Sequence, residues 1–198
     1  MLPFVLGLFL GCGEKEETKP KEEKVEAVEQ TPEKEVEKPK EPTPAEVIDT
    51  KATVSEAFEY AKLFMDDQKN KSSTGTFLFA YWAKKNLRWF DVFTKKDETS
   101  FGMIKKDADP ERGKRMCWSG TIVQIAKVDQ VGFAGLLMTK KYDIIHFFAA
   151  GSTGSLVENS RARFCGLVTG LYTYDNSGGG VSHGIDMVGM FKLKENTK

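Results

Sequence analysis

Gly113-Lys114-Arg115-Met116-Cys117-Trp118-Ser119-Gly120-Thr121-Ile122-Val123-Gln124-Ile125 is a long β-rich run interrupted by one glycine. A strand sends its side chains alternately to two faces, and a glycine inside it lets the strand coil sharply. Working downstream, residues 133–138 and 142–149 are shorter apolar runs separated by the polar turn Thr139-Lys140-Lys141. Residues 151–160 read as a loop with one helical turn. Residues 162–174, with internal Gly166 and Gly170, give a fourth strand, and residues 185–193 give a fifth after a Ser/Gly-rich stretch.

Working upstream, the texture is helical. Thr53-Val54-Ser55-Glu56 has the spacing of a capping box, in which the Thr oxygen reaches a backbone N–H and the Glu reaches back. Val54, Ala57, Phe58, Ala61, Phe64 and Met65 then recur every three or four residues, which predicts a helix to about Asp67. A loop over residues 68–75 leads to a second helical pattern over 76–93, with Phe79, Trp82, Ala83, Leu87, Phe90 and Phe93 on one face. Lys84, Arg88 and Asp91 fall on the other side. Rings and cations on different faces favour core packing over a nucleic-acid stacking platform.

Charge is distributed unevenly over the 198 residues. The formal net charge is zero, but residues 1–45 hold 7 Lys against 11 Glu, a net of −4, and the remainder holds 22 Lys and Arg against 18 Asp and Glu, a net of +4. Such a small surplus argues against nucleic acid as a partner, since its binders carry a strong basic stripe. Residues 13–45 alternate Glu, Lys and Pro with few apolar residues, a composition that cannot bury enough surface to offset chain entropy. It is expected to be a disordered tether, spanning on the order of 30 to 35 Å as a coil.

The run Leu2 to Gly11 is apolar and ends at Cys12. It is too short to span a bilayer as a helix, which needs about 20 residues, but has the length of a signal-peptide core. Leu10-Gly11-Cys12 resembles a bacterial lipobox, whose cysteine is acylated and becomes the first residue of the mature chain. The resemblance implies a signal peptide at 1–11, lipidation at Cys12, and the lipid bilayer as a partner. Gly13 stands where many inner-membrane lipoproteins carry Asp, so the outer membrane is favoured. Each buried CH₂ of an acyl chain contributes about 0.8 kcal/mol to such anchoring.

A long glycine-kinked strand, a hairpin, a connector and two more strands follow the order of an OB-fold barrel. Gly113-Lys114-Arg115-x-Cys117-x-Ser119-Gly120-x-Ile122 resembles the first strand of the OB-like domains grouped as tRNA-anticodon-domain-like, many of which occur in exported proteins. The expected fold is α+β: N-terminal helices over 46–108 packed on a five-stranded OB-like antiparallel β-barrel over 109–198. A generic α+β domain with an antiparallel sheet is the alternative. The OB resemblance implies a ligand surface that would gather residues 127–131, Lys140, Lys141, Tyr142 and His146, with Tyr174, Asn176 and His183 from the last loop.

With Cys12 lipidated, Cys117 and Cys165 remain. An even remainder in an oxidising compartment suggests a disulfide, and the resemblance places the two on neighbouring strands; two buried free thiols are the alternative. His146, His183, Asp143 and Asp186 have no metal-ligand spacing, so no metal site is read from them. Gly151-Ser152-Thr153-Gly154 and Gly178-Gly179-Gly180 lack the strand–loop–helix setting and lysine of a phosphate-binding loop, and read as turns. No paired carboxylates and no nucleophile–base arrangement stand out, and no cofactor is implied. The expectation is a non-enzymatic binding or scaffold module with an envelope protein or polymer as partner; a periplasmic enzyme or small-ligand carrier with a site assembled from distant residues is the alternative.

Overall fold

The computed structural model describes residues 41–94, 96–176 and 178–193, all within one unit, Lys40–Lys198. The expected signal peptide, Cys12 and most of the tether lie outside the described residues.

Five strands carry the chain's β-rich half: β1 Arg115–Val128, β2 Gly132–Thr139, β3 Ile144–Ala149, β4 Arg161–Asp175 and β5 Val181–Phe191. They form one sheet in the order β1-β2-β3-β5-β4, closed into a barrel by pairing of β4 with β1. Gly120 sits where β1 passes from one partner to both. A Cβ there would lie 2.3 Å from the Met138 carbonyl oxygen, so only glycine admits β2 this closely.

The wholly antiparallel barrel expected from the sequence is corrected in one respect: β3 and β5 run parallel, in register from Ile145 opposite Ile185 to Ala149 opposite Gly189. The reason is parity. Strand direction cannot alternate all the way round a closed ring of five, so one neighbouring pair must run the same way. The chain makes that pair by crossing from β3 through residues 150–160 to β4, and returning in β5 between β3 and β4.

Period-two alternation fills the interior. Ile145, Phe147 and Ala149 of β3 and Ile185, Met187 and Phe191 of β5 point inward with Ile122, Leu137, Phe164 and Val168. Phe147, Phe164 and Phe191 meet with ring centroids 5.0 to 5.4 Å apart. The intervening residues, Phe148, Cys165, Leu167, Val188 and Met190, face outward into a second core built with the helices.

Those helices are α1 Pro44–Asp49, α2 Val54–Lys62, α3 Thr74–Asn86, α4 Trp89–Val92 and α5 Phe101–Lys106. Thr53 and Glu56 form the capping box read from the sequence, and Thr43 and Glu46 form a second one at the end of the stretch read as tether. The first expected helix stops at Lys62 instead of near Asp67. Gly75 explains the stop: the start of α3 lies so close to the end of α2 that a Cβ on Gly75 would be 2.3 Å from the Ala61 carbonyl oxygen. The Gly75 N–H donates to the Phe64 carbonyl, 2.8 Å away. The second expected helix is divided at Leu87 and Arg88, both extended, into α3 and α4. Phe79, Ala80, Trp82 and Ala83 of α3 are buried against the outer wall of the barrel. Short α5, capped by Ser100, adds Phe101 and Ile104 to the interior cluster.

Candidate ligand-binding cleft

Cys117 and Cys165 are directly opposite across β1 and β4, with Cα atoms 4.1 Å apart, and form a disulfide. The pair lies on the outward face of the barrel, in the core shared with the helices, where Cys165 is fully buried. Cys117 is only partly buried, and the bond joins the two strands beneath the helices. Cys12 lies outside the described residues.

The surface implied by the OB resemblance is divided. Its first loop is tied to α3 at one end: Val131 is buried in the helix-facing core, and Lys84 Nζ donates to the Asp129 carbonyl, while Lys127, Asp129 and Gln130 stay exposed. Asn176 is committed to its own turn, where its Oδ1 accepts from the Gly178 and Gly180 N–H groups, 3.0 Å each, and its Nδ2 donates to Ser182. His183 is exposed and belongs to the opposite side of β5 from Asp186. His146 and Tyr174 stand on the outward face, in a row with Tyr172 between them: the His146 and Tyr172 rings stack at 4.4 Å, and the two tyrosines at 6.0 Å.

His146 is also the centre of a polar knot that no sequence spacing announced. Its Nδ1 lies 3.0 Å from Oδ1 of buried Asp186 and 3.1 Å from Oγ of Ser72, which belongs to the loop between α2 and α3. Serine, histidine and aspartate together invite comparison with a nucleophile, base and orienter. In such a relay the two ring nitrogens divide the work, one facing the nucleophile and the other the carboxylate. Here both oxygens converge on the same nitrogen, a geometry that ties the α2–α3 loop to the barrel. Burial, with the nearby Asp186 carboxylate and Tyr174, raises the Tyr172 phenol above its ordinary range and keeps it neutral. Asp143 turns away from this knot to face Lys105 at 3.7 Å. Among the described residues no group of three or more His, Cys, Asp or Glu is arranged to hold a metal ion.

A different surface carries a concavity of about 790 Å³. It opens where the middle of β1, the β2–β3 turn, the start of β4 and the residue after β5 meet. Arg161 and Arg163 are two apart on β4, so strand alternation sends both side chains to the same side while Ala162 turns the other way. Their backbones pair with Thr121 and Ser119 of β1, which adds two hydroxyls to the wall. Lys192 follows β5, its N–H donating to the Arg163 carbonyl at 2.8 Å.

The fourth cation, Lys140, comes from a turn held rigidly by Thr139. The buried Thr139 Oγ1 accepts from the N–H groups of Lys141 and Asp143, 3.2 Å each, and its carbonyl accepts from the Tyr142 N–H at 3.0 Å. Tyr142 has φ 63°, a left-handed conformation unfavourable for a bulky residue, and its side chain is 79% exposed. Lys140 and Tyr142 of the expected ligand residues line the cleft; Lys141, His146, Tyr174, Asn176 and His183 do not. Sequence reading missed Arg161, Arg163 and Lys192. The Arg-x-Arg spacing at a strand start was the one signal that could have found the first two.

Among the described residues, the lining contains no carboxylate, histidine or cysteine. Among the described residues none of Lys140, Arg161, Arg163 and Lys192 takes part in an ion pair. Unpaired cations around a concavity attract anions, and arginine's planar fork binds carboxylate or phosphate through two parallel hydrogen bonds.

No protein-family model matches this chain, and no curated protein does. Among solved structures, the mitochondrial single-stranded DNA-binding protein Rim1 of S. cerevisiae matches with a TM-score of 0.31 and 11% identity, over 43% of this chain and 98% of that one.

Proposed function

We propose that this chain is a lipoprotein of the cell envelope, acylated at Cys12 and held at the outer membrane, whose OB-like barrel is a non-enzymatic module that binds an anionic partner in the basic cleft. The anchor rests on the Leu10-Gly11-Cys12 lipobox resemblance and the apolar run before it. The OB-like reading rests on five strands in the order β1-β2-β3-β5-β4 with β3 and β5 parallel. The binding reading is carried by one observation: among the described residues, four cations without a carboxylate partner surround a concavity of about 790 Å³ whose lining holds no acid–base pair. The alternative is a periplasmic enzyme or small-ligand carrier with a site assembled from distant residues; as a catalytic centre for it, His146 is disfavoured by the convergence of Ser72 and Asp186 on a single ring nitrogen.

Two measurements test this. The intact mass of protein purified from its own membranes should show a chain beginning at Cys12 with added acyl groups, and Cys12→Ala should release the protein from the membrane fraction. An unmodified chain that keeps Met1 would refute the anchor. For the cleft, titrating tripolyphosphate and following backbone amide shifts should perturb residues around Lys140, Arg161 and Lys192. Shifts centred elsewhere, or none, would remove the cleft from the reading.

A further inference from the structure

We propose that the cleft takes an acidic oligosaccharide, a short chain of sugar rings bearing carboxylate or phosphate groups. This deepens the reading of the cleft as the binding site and rests on it.

Size is the first argument. A concavity of about 790 Å³ is within the range of pockets that enclose drug-sized ligands and is several times what a single phosphate or carboxylate needs. Four cations supplied from three separate segments, the β2–β3 turn, the start of β4 and the end of β5, suit charges spaced along an oligomer better than one compact anion.

The second argument is Tyr142. A tyrosine held at positive φ and 79% exposed carries backbone strain with no burial to offset it, and strain of this kind collects where a side chain must be presented. An exposed phenol ring beside cations offers an apolar face to the C–H face of a pyranose and a hydroxyl to its substituents. Ser119 and Thr121, paired with Arg163 and Arg161, supply further hydroxyls for a hydroxyl-rich ligand.

The third argument excludes the obvious competitor. Single-stranded nucleic acid is held by successive bases stacked on several aromatic rings beside a basic groove. This barrel has such a row of rings in His146, Tyr172 and Tyr174, but it is not part of the cleft. Asp186 contacts the first ring of that row, and Asp175 follows the last. That row and the four cleft cations are in different places, and among the described residues the cleft itself offers one ring.

The test is isothermal titration of the full chain at low ionic strength with six ligands: hexagalacturonate, a phosphorylated mannohexaose, neutral maltohexaose, neutral mannohexaose, tripolyphosphate and an eight-residue oligothymidylate. One of the two acidic hexasaccharides should bind at least tenfold more tightly than the neutral ones, than tripolyphosphate and than the oligonucleotide; which of the two does so identifies the acidic group. Arg161→Ser/Arg163→Ser should weaken that binding by roughly ten- to a hundredfold, the loss of charge-assisted hydrogen bonds. Lys192→Ser, outside any strand, should weaken it independently, and Tyr142→Ala should weaken it without changing its salt dependence. Near-UV circular dichroism checks that each variant remains folded. Tightest binding of the oligonucleotide would overturn the proposal in favour of nucleic acid, and equal binding of tripolyphosphate would reduce the cleft to a plain anion site. Failure of both acidic sugars, or binding indifferent to the arginines, would also overturn it. If tripolyphosphate still maps to the cleft, the broader reading of an anion-binding module survives that failure.

Discussion

Arg112 is nearly buried, and every nitrogen of its guanidinium has an oxygen partner. Nε reaches Asp109 at 3.1 Å, Nη2 reaches Asp67 at 2.8 Å, and Nη1 donates to the Thr169 carbonyl. Thr169 is the position where the β4–β5 register shifts, and the next N–H but one, that of Leu171, is taken up by the same Asp67 oxygen at 2.9 Å. Asp67 therefore serves a buried cation and a displaced backbone donor together. Asp67→Ala should cost about 3 kcal/mol in urea unfolding, whereas Arg112→Met, which removes the charge along with its partner's burden, should cost less. Beside this clamp, buried Glu111 is held below the ordinary glutamate range by Lys114 first and by the Thr99 hydroxyl second. A carboxylate whose folded pKa is depressed stabilises the fold above its unfolded value, near 4.5, and that contribution is lost as pH falls through the lower folded one. The urea midpoint measured from pH 6 downward should fall over that window, and Glu111→Gln should flatten the decline. None of this was legible beforehand. Asp67 and Arg112 are 45 residues apart, and a partnership set by folding has no spacing to read. The Thr53–Glu56 box was legible because both of its hydrogen bonds close within one turn.

The covalent tie between β1 and β4 joins residues 48 apart in sequence, directly opposite in register. By the loop-closure model a crosslink of that span stabilises by about 4 kcal/mol. Cys117→Ala/Cys165→Ala, or reduction of the native chain, should lower stability by about 2 to 5 kcal/mol in denaturant titrations, and an unchanged midpoint would mean the bond is absent or idle. The existence of each strand could be read from the sequence because alternation and glycine punctuation are local. Partnership could not: nothing within residues 144–149 says that their neighbour is residues 185–189, although five strands in a closed ring already require one parallel pair. α1 went unread for a different reason. Its capping box follows a long Glu/Lys/Pro composition that argues against structure, and a six-residue helix has too few turns to show a period. The cleft was half legible. Lys140 and Tyr142 lie in a turn visible from sequence, whereas Arg161, Arg163 and Lys192 become their neighbours only when the barrel closes.

Helices and barrel share one continuous core. Phe58, Phe79, Trp82 and Trp89 lie in the same cluster as Val131, Phe148, Cys165, Val188 and Met190, and Phe77 meets Phe148 with ring centroids 5.0 Å apart. Neither layer covers its own apolar face, so residues 41–193 should unfold in one calorimetric transition whose van't Hoff and calorimetric enthalpies agree. A barrel expressed without α1 to α4 should expose the outer wall and bind a hydrophobic dye; two separated transitions in the whole chain would contradict the shared core. The same arrangement explains why the expected OB-type surface is divided: Val131 is covered by the helices, whereas Lys140 and Tyr142 stay open and line the cleft.

The position of β5 has a consequence in time. It is the last of the five strands in sequence and fits between β3 and β4, so it completes two seams of the ring at once. A chain emerging from its amino terminus can pair β1 with β2, β2 with β3 and β4 with β1, but the gap between β3 and β4 stays open until residues 181–191 have followed. Until then the inward faces of Phe147 and Phe164 have no lid, and the cleft lacks the segment that brings Lys192 beside Arg163. Closure of the ring and completion of the binding surface therefore depend on the same last strand.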